Sequence, residues 1–129
     1  MKIIADTNIF LAVAMNEPEK GKIIDLSMGC DIYSPEILPY EIGNALSAIV
    51  KRKQLTQNEA FSVLKSVQKI PYTLLRVDIK NSLEIALKNN IYAYDAYFLQ
   101  CALSHNYKLF TLDSRMKDIA KQLGITLLE

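Results

Sequence analysis

The sequence predicts an α/β fold, with a mainly parallel five-stranded sheet between two layers of helices. Three observations lead there. Short runs rich in Ile, Leu and Thr alternate with longer segments of helical period. Such β–α alternation sends the chain back across the sheet through helices, which makes neighbouring strands parallel and covers both faces. Finally, 129 residues with 50% hydrophobic and 22% charged content suffice for a core of two or three layers in one domain spanning 1–129.

Taken in order, "KIIAD" (2–6), "DIYS" (31–34), "TLLRVD" (73–78), "KLFTLD" (108–113) and "ITLLE" (125–129) read as strands. Helical patterns occupy 17–28, 37–53, 57–69, 79–88, 93–105 and 115–123. Thr56 followed three residues later by Glu59 is a capping-box signature for the third helix. Gly124 reads as a helix stop before the last strand.

Composition narrows the function classes. A net charge of +1 excludes a broadly polycationic coat for nucleic acid, yet a basic rim around an acidic site also averages to nearly zero. No apolar run approaches the roughly 18–20 residues of a membrane span. The opening "MKIIADTNIF" carries an Asp inside a very short apolar stretch and does not read as a signal peptide. A cytoplasmic protein with no membrane partner is therefore expected. Cys30 and Cys101 are far apart and unclustered, as expected of reduced, partly buried thiols rather than a disulfide or a zinc site.

The most apolar helical stretch raises the functional question. Between Ile91 and Leu103 only Asp95 and Gln100 are neither apolar nor aromatic, and Asp95 shares a stripe with Ile91, Phe98, Leu99 and Ala102. A carboxylate carried into a core without a partner costs several kcal/mol, about what an unpaired buried ion costs elsewhere. Three more acids sit in largely apolar or small surroundings: Asp6 in "IIADTNIF", Glu41 in "LPYEIGNAL" and Asp113 in "LFTLDS". Asp6 and Asp113 end the first and fourth strands, while Glu41 and Asp95 lie near helix starts. In a doubly wound sheet these places converge on the carboxyl edge, where ligands bind at the topological switch point.

Each acid also has a plainer reading: a turn for Asp6, an N-cap for Asp95 or Asp113, a first-turn helix charge for Glu41. Four converging carboxylates would repel one another, and a hard dication relieves this. Mg²⁺ or Mn²⁺ takes oxygen ligands and suits phosphodiester hydrolysis.

In that order the segments "ADTNIFL", "LPYEIGNAL", "YDAYFLQCA" and "LFTLDSRM", then "GITLL", resemble the PIN domain, specifically the small VapC-type toxin ribonucleases. The resemblance implies a PIN-like three-layer α/β/α fold, Mg²⁺- or Mn²⁺-dependent cleavage of RNA, homodimerisation and inhibition by a small antitoxin. Carried over, Asp6, Glu41 and Asp95 would be the main metal-site acids and Asp113 a fourth, less central one. Asn8 and Thr111 match supporting polar positions. The family also contains RNA-processing nucleases and non-catalytic binding proteins, which are the alternatives. A phosphoacceptor receiver domain does not fit, because Thr7 rather than a second acid follows Asp6.

For the substrate, Arg115 and Lys117 just beyond Asp113 are the best-placed phosphate contacts. "KRK" (51–53) lies farther off, where it also suits a helix C-terminus. Tyr92, Tyr94 and Tyr97 read either as base-stacking rings or as core and interface aromatics. His105 is assigned no role. The hairpin from Glu36 to Leu64 has more apolar stripe than one sheet face needs (Leu38, Ile42, Leu46, Ile49, Val50, Leu55, Phe61, Leu64), as a groove for an antitoxin helix would.

Overall fold

The protein is described by a computed structural model covering residues 1–129. Four strands and seven helices follow one another as β1 (Lys2–Ala5), α1 (Thr7–Ala14), α2 (Lys20–Ser27), β2 (Asp31–Pro35), α3 (Leu38–Lys51), α4 (Gln57–Gln68), β3 (Thr73–Leu75), α5 (Ile79–Asn89), α6 (Ala93–His105), β4 (Lys108–Phe110) and α7 (Ser114–Gln122). The sheet is parallel throughout, in the order β3-β2-β1-β4. The chain therefore steps outward from β1 to β3, then returns to place β4 on the other side of β1. The gap between the carboxyl ends of β1 and β4 is the switch point of the sheet.

Alternation along the strands divides the core. Ile3 and Ala5 of β1 and Phe110 of β4 face a cluster built from α1 to α4, including Ile9, Phe10, Leu38, Ile42, Val63 and Val67. Ile4 and Leu109 face the other way, into Phe98, Leu99, Met116, Ile119 and their neighbours on α5 to α7. β1 is thus buried on both faces, which explains its uninterrupted apolar run. The register Ile4↔Leu109 and Ala5↔Phe110 brings both strand ends level.

The sequence reading departs from the structure in three places. The five-stranded sheet is four-stranded: the segment 125–129 runs beside β4 but makes one bridge, Leu109↔Leu127, with hydrogen bonds from Leu109 N to Thr126 O and from Leu128 N to Leu109 O. β3 and β4 are also shorter than 73–78 and 108–113, because Val77 N bonds the Glu36 side chain and Thr111 to Asp113 turn away to begin α7. The sequence reading has no helix at 7–14, where α1 lies. Its apolar residues are packed all round, with Ile9, Phe10 and Ala12 buried and Leu11, Val13 and Ala14 partly so, and no polar face marks the helical period.

Local signals elsewhere hold. Thr56 N donates to Glu59 Oε1 at 2.9 Å and Glu59 N to Thr56 Oγ1 at 3.1 Å, closing the capping box. Gly124 ends α7 at φ +78, a conformation that favours glycine. Both cysteines are free, and burial pushes the Cys101 thiol up to about 11. No helix is long and apolar enough to cross a membrane.

These features rank the elements by stability. Phe98, fully buried beneath α6, should cost about 3–5 kcal/mol on Phe98→Ala, against about 1 kcal/mol for Thr56→Ala at an exposed cap. Urea unfolding midpoints check the order.

Candidate active site

Asp6 follows β1 directly and caps α1. Its backbone N–H donates to Phe110 O at 2.9 Å, so the peptide itself ties β1 to the end of β4. The side chain is only 6% exposed. Oδ1 accepts from Thr7 N at 2.7 Å; Oδ2 accepts from Thr111 Oγ1 at 2.7 Å and from Asn8 Nδ2 at 3.2 Å. Asn8 also accepts from Leu112 N, and Thr111 Oγ1 accepts from Asp113 N. Both supporting polar residues therefore touch Asp6 and brace the loop after β4.

The other acids are set by helix starts. Glu41 lies in the first turn of α3, which begins with Leu38 and Pro39. Its Oε1 accepts from Thr7 Oγ1 at 2.8 Å. Thr7, which the sequence reading did not single out, links the acids: its amide holds Asp6 and its hydroxyl holds Glu41. Asp95 is a first-turn acid of α6, not its N-cap; Tyr92 occupies that place without a side-chain bond. Asp113 does cap α7, accepting from Arg115 N at 2.9 Å and Met116 N at 3.2 Å. That engages Oδ1 and leaves the fourth acid at the exposed rim.

Electrostatics link these positions. Burial raises the Asp6 carboxyl to about 6, against the pull of its Thr111 and Thr7 hydrogen bonds, and the charges of Asp95 and Glu41 push it further. Glu41 is raised by burial and by Asp95, with the Thr7 hydroxyl opposing. Asp95 is raised by burial and then by Asp113, partly offset by Arg115. The acids thus share one electrostatic neighbourhood, although no three of them stand close enough together to hold a metal ion as they are placed. The donor set is oxygen only, with no Cys or His in it, which suits a hard dication rather than zinc.

The cationic and aromatic candidates separate. Arg115 Nη2 donates to the carbonyls of Asn89 and Asn90, each at 3.2 Å, pinning the turn between α5 and α6. Lys117 lines a cavity with Lys22, Thr111 and Leu112 beside the strand end. Lys51 in the last turn of α3, with Arg52 and Lys53 just past it, is exposed about 15 Å along the helix from Glu41. Tyr92 and Tyr94 are exposed, whereas Tyr97 is half-buried and meets Tyr94 edge-on, with ring centroids 6.2 Å apart. His105 Nδ1 lies against Cys101 O at the far end of α6.

A parallel sheet with helices on both faces and an acidic cluster at its switch point defines a class of α/β proteins that the comparisons make specific. The PIN domain family profile matches residues 3–122, and the chain belongs to that family. It is similar to ribonuclease VapC3 of Pyrobaculum aerophilum, 25% identical over 125 residues that cover 92% of this chain and 94% of the relative. A crystal structure from P. aerophilum shares the fold at TM-score 0.69 and 21% identity, covering 96% of this chain and 90% of that one. VapBC2 of Rickettsia felis, bound to a promoter DNA fragment, matches at TM-score 0.69 and 17% identity, over 98% and 97% of the chains. FitAcB of Neisseria gonorrhoeae follows at 0.64 and 16%, over 98% and 96%.

The raised carboxyls predict a pH dependence. A carboxyl that binds its proton more tightly when folded costs no stability at low pH, and destabilises progressively as pH rises from the unfolded value through the folded one. For Asp6 that window runs from about 3.8 to about 6, and the cost above it is up to about 3 kcal/mol. In EDTA, urea midpoints should therefore rise as pH falls from about 7 to about 4.5. Asp6→Asn, which removes the titrating group, should flatten that profile.

Proposed function

We propose that this chain is an endoribonuclease of the VapC kind, the toxin of a toxin–antitoxin pair, and that Asp6, Glu41, Asp95 and Asp113 form its site. The observation that carries the reading is the gathering of these acids around the end of β1, three of them with raised carboxyls. Similarity along the whole chain to a protein named as a ribonuclease supports it.

Asp6, Glu41 and Asp95 would hold Mg²⁺ or Mn²⁺, with Asp113 at the rim. When bound, the ion supplies Lewis-acid polarisation of the phosphodiester and stabilises charge on the leaving oxygen. The chain's own residues do the rest. Thr7, Asn8 and Thr111 hold the Asp6 and Glu41 carboxylates in place, so little reorganisation is needed when substrate arrives. Lys117, in a cavity also lined by Lys22, Glu19 and Glu129, is the remaining candidate cationic contact for RNA phosphates. Arg115 tempers the charge of Asp95 while it holds the turn.

Partners follow from the surface. Ile79, Leu83 and Leu87 lie at spacings of four on α5 and are exposed, an apolar stripe suited to a second copy of the chain. The apolar hairpin is mostly used internally: Leu38, Ile42 and Leu46 are buried, Val50, Leu55 and Leu64 pack against the core, and Phe61 is 59% exposed. Of that apolar stripe, Phe61 is left exposed to a small antitoxin. A VapBC assembly among the fold relatives is in keeping with such a partner.

Purified protein incubated with single-stranded RNA and Mn²⁺ or Mg²⁺ should leave 5′-phosphate and 3′-hydroxyl ends. Asp6→Asn and Asp95→Asn should reduce cleavage to background with unchanged circular dichroism, and excess EDTA should do the same. Full activity under any of these conditions would overturn the mechanism. Thr111→Val, which removes a positioning hydroxyl, should lower activity about 10–100-fold.

A further inference from the structure

A cavity of about 300 Å³ opens between the starts of α3 and α6, lined by Ile37, Tyr40, Glu41, Asn44 and Tyr94. Ile37, the N-cap of α3, and Tyr40, Glu41 and Asn44 on the helix recur at spacings of three, four and seven, forming one helical stripe. The opposite stripe, Leu38, Ile42 and Leu46, faces the core. Tyr94 directly precedes Asp95, and Glu41 belongs both to the cavity wall and to the acidic site.

We infer that this cavity is a base-binding subsite. It takes one nucleobase of single-stranded RNA against the Tyr40 and Tyr94 rings, beside the phosphodiester that is cut, and Asn44 reads the edge of the base. The inference rests on the ribonuclease reading and names a specificity element within it.

Three features point to a base rather than another part of the substrate. None of the lining residues is cationic, and Glu41 is acidic, so the cavity does not attract a phosphate. Two of its five residues are phenols left largely in water, Tyr40 at 75% and Tyr94 at 58% exposure. Their faces add little to the core, yet they offer the flat surfaces on which unpaired bases stack. Asn44 brings a carboxamide, whose donor and acceptor together can pair with a base edge. The volume lies at the small end of ligand pockets, about 300 Å³ and upward, room for one nucleoside and not for a stacked duplex. Tyr97, half-buried and edge-on to Tyr94, supports the Tyr94 ring from the side.

The test compares wild type with Tyr40→Ala, Tyr94→Ala, Tyr94→Phe and Asn44→Ala on a randomised single-stranded RNA pool. KM, kcat, the base frequency around the cut and the size-exclusion volume are measured. Both tyrosine-to-alanine variants should raise KM about five- to hundredfold with a smaller change in kcat. Tyr94→Phe should restore most of the loss, and Asn44→Ala should flatten the base preference at one position. Cleavage by wild type with KM and base preference unchanged in every alanine variant overturns the pocket alone. A changed elution volume with unchanged KM overturns it as well, assigning the tyrosines to a protein interface. Absence of cleavage by wild type overturns the ribonuclease reading itself, and the pocket with it.

Discussion

The buried carboxylate of Asp6 is the constraint around which the carboxyl edge of the sheet is organised. Removing an acid from water is unfavourable, and here it is offset by the Thr7 amide, the Thr111 hydroxyl and the Asn8 carboxamide. Those donors come from the start of α1 and from the loop after β4, so they converge only when β4 is paired beside β1 in register. The Asp6 N–H bond to Phe110 O closes the same junction through the backbone. One side chain thereby couples the switch point of the sheet to the candidate site beside it. Even so, its carboxyl stays near 6, so the hydrogen bonds offset its burial only in part. This is the local inconsistency with stability that functional sites tend to carry.

Each of the four acids belongs to the start of a different helix: Asp6 caps α1, Glu41 is in the first turn of α3, Asp95 in the first turn of α6, and Asp113 caps α7. Parallel topology produces this: α1, α3 and α7 each follow a strand and so begin at the carboxyl edge, while α6 follows α5 and leads back to the start of β4, which sets its own start at the same edge. Helix N-termini carry partial positive charge and unpaired N–H groups, so four such ends make an edge where carboxylates can gather. Burial first, and mutual repulsion second, still leave Asp6, Glu41 and Asp95 raised. The two apolar clusters on either side of β1 hold these helix starts in fixed relation.

Much of this was legible in residues. Alternating β-rich and helical runs gave parallel α/β layering. Acids in apolar surroundings marked the edge, and Thr56 with Glu59 marked a helix start. What escaped notice depended on surroundings. α1 was hidden because burial on several sides removes the polar face by which a helix is recognised. Thr7 was unremarkable until α3 brought Glu41 against its hydroxyl, some 34 residues away in sequence. Arg115 sits beside an acid in sequence, as a phosphate contact would, but its guanidinium holds two carbonyls between α5 and α6.

The sequence by itself determined the layered fold and singled out the candidate acids, because both rest on local quantities: hydrophobic period, capping chemistry and the cost of a carboxylate among apolar neighbours. Tertiary structure decided how those acids differ. It made Asp6 the buried member, Asp113 a cap at the rim and Asp95 a first-turn acid instead of a cap. It also limited the last predicted strand to a single bridge and set Tyr40, Asn44 and Tyr94 around one cavity. Such outcomes depend on which distant donors and rings approach a residue, and that is fixed only when β1 is flanked by β2 and β4 and covered on both faces.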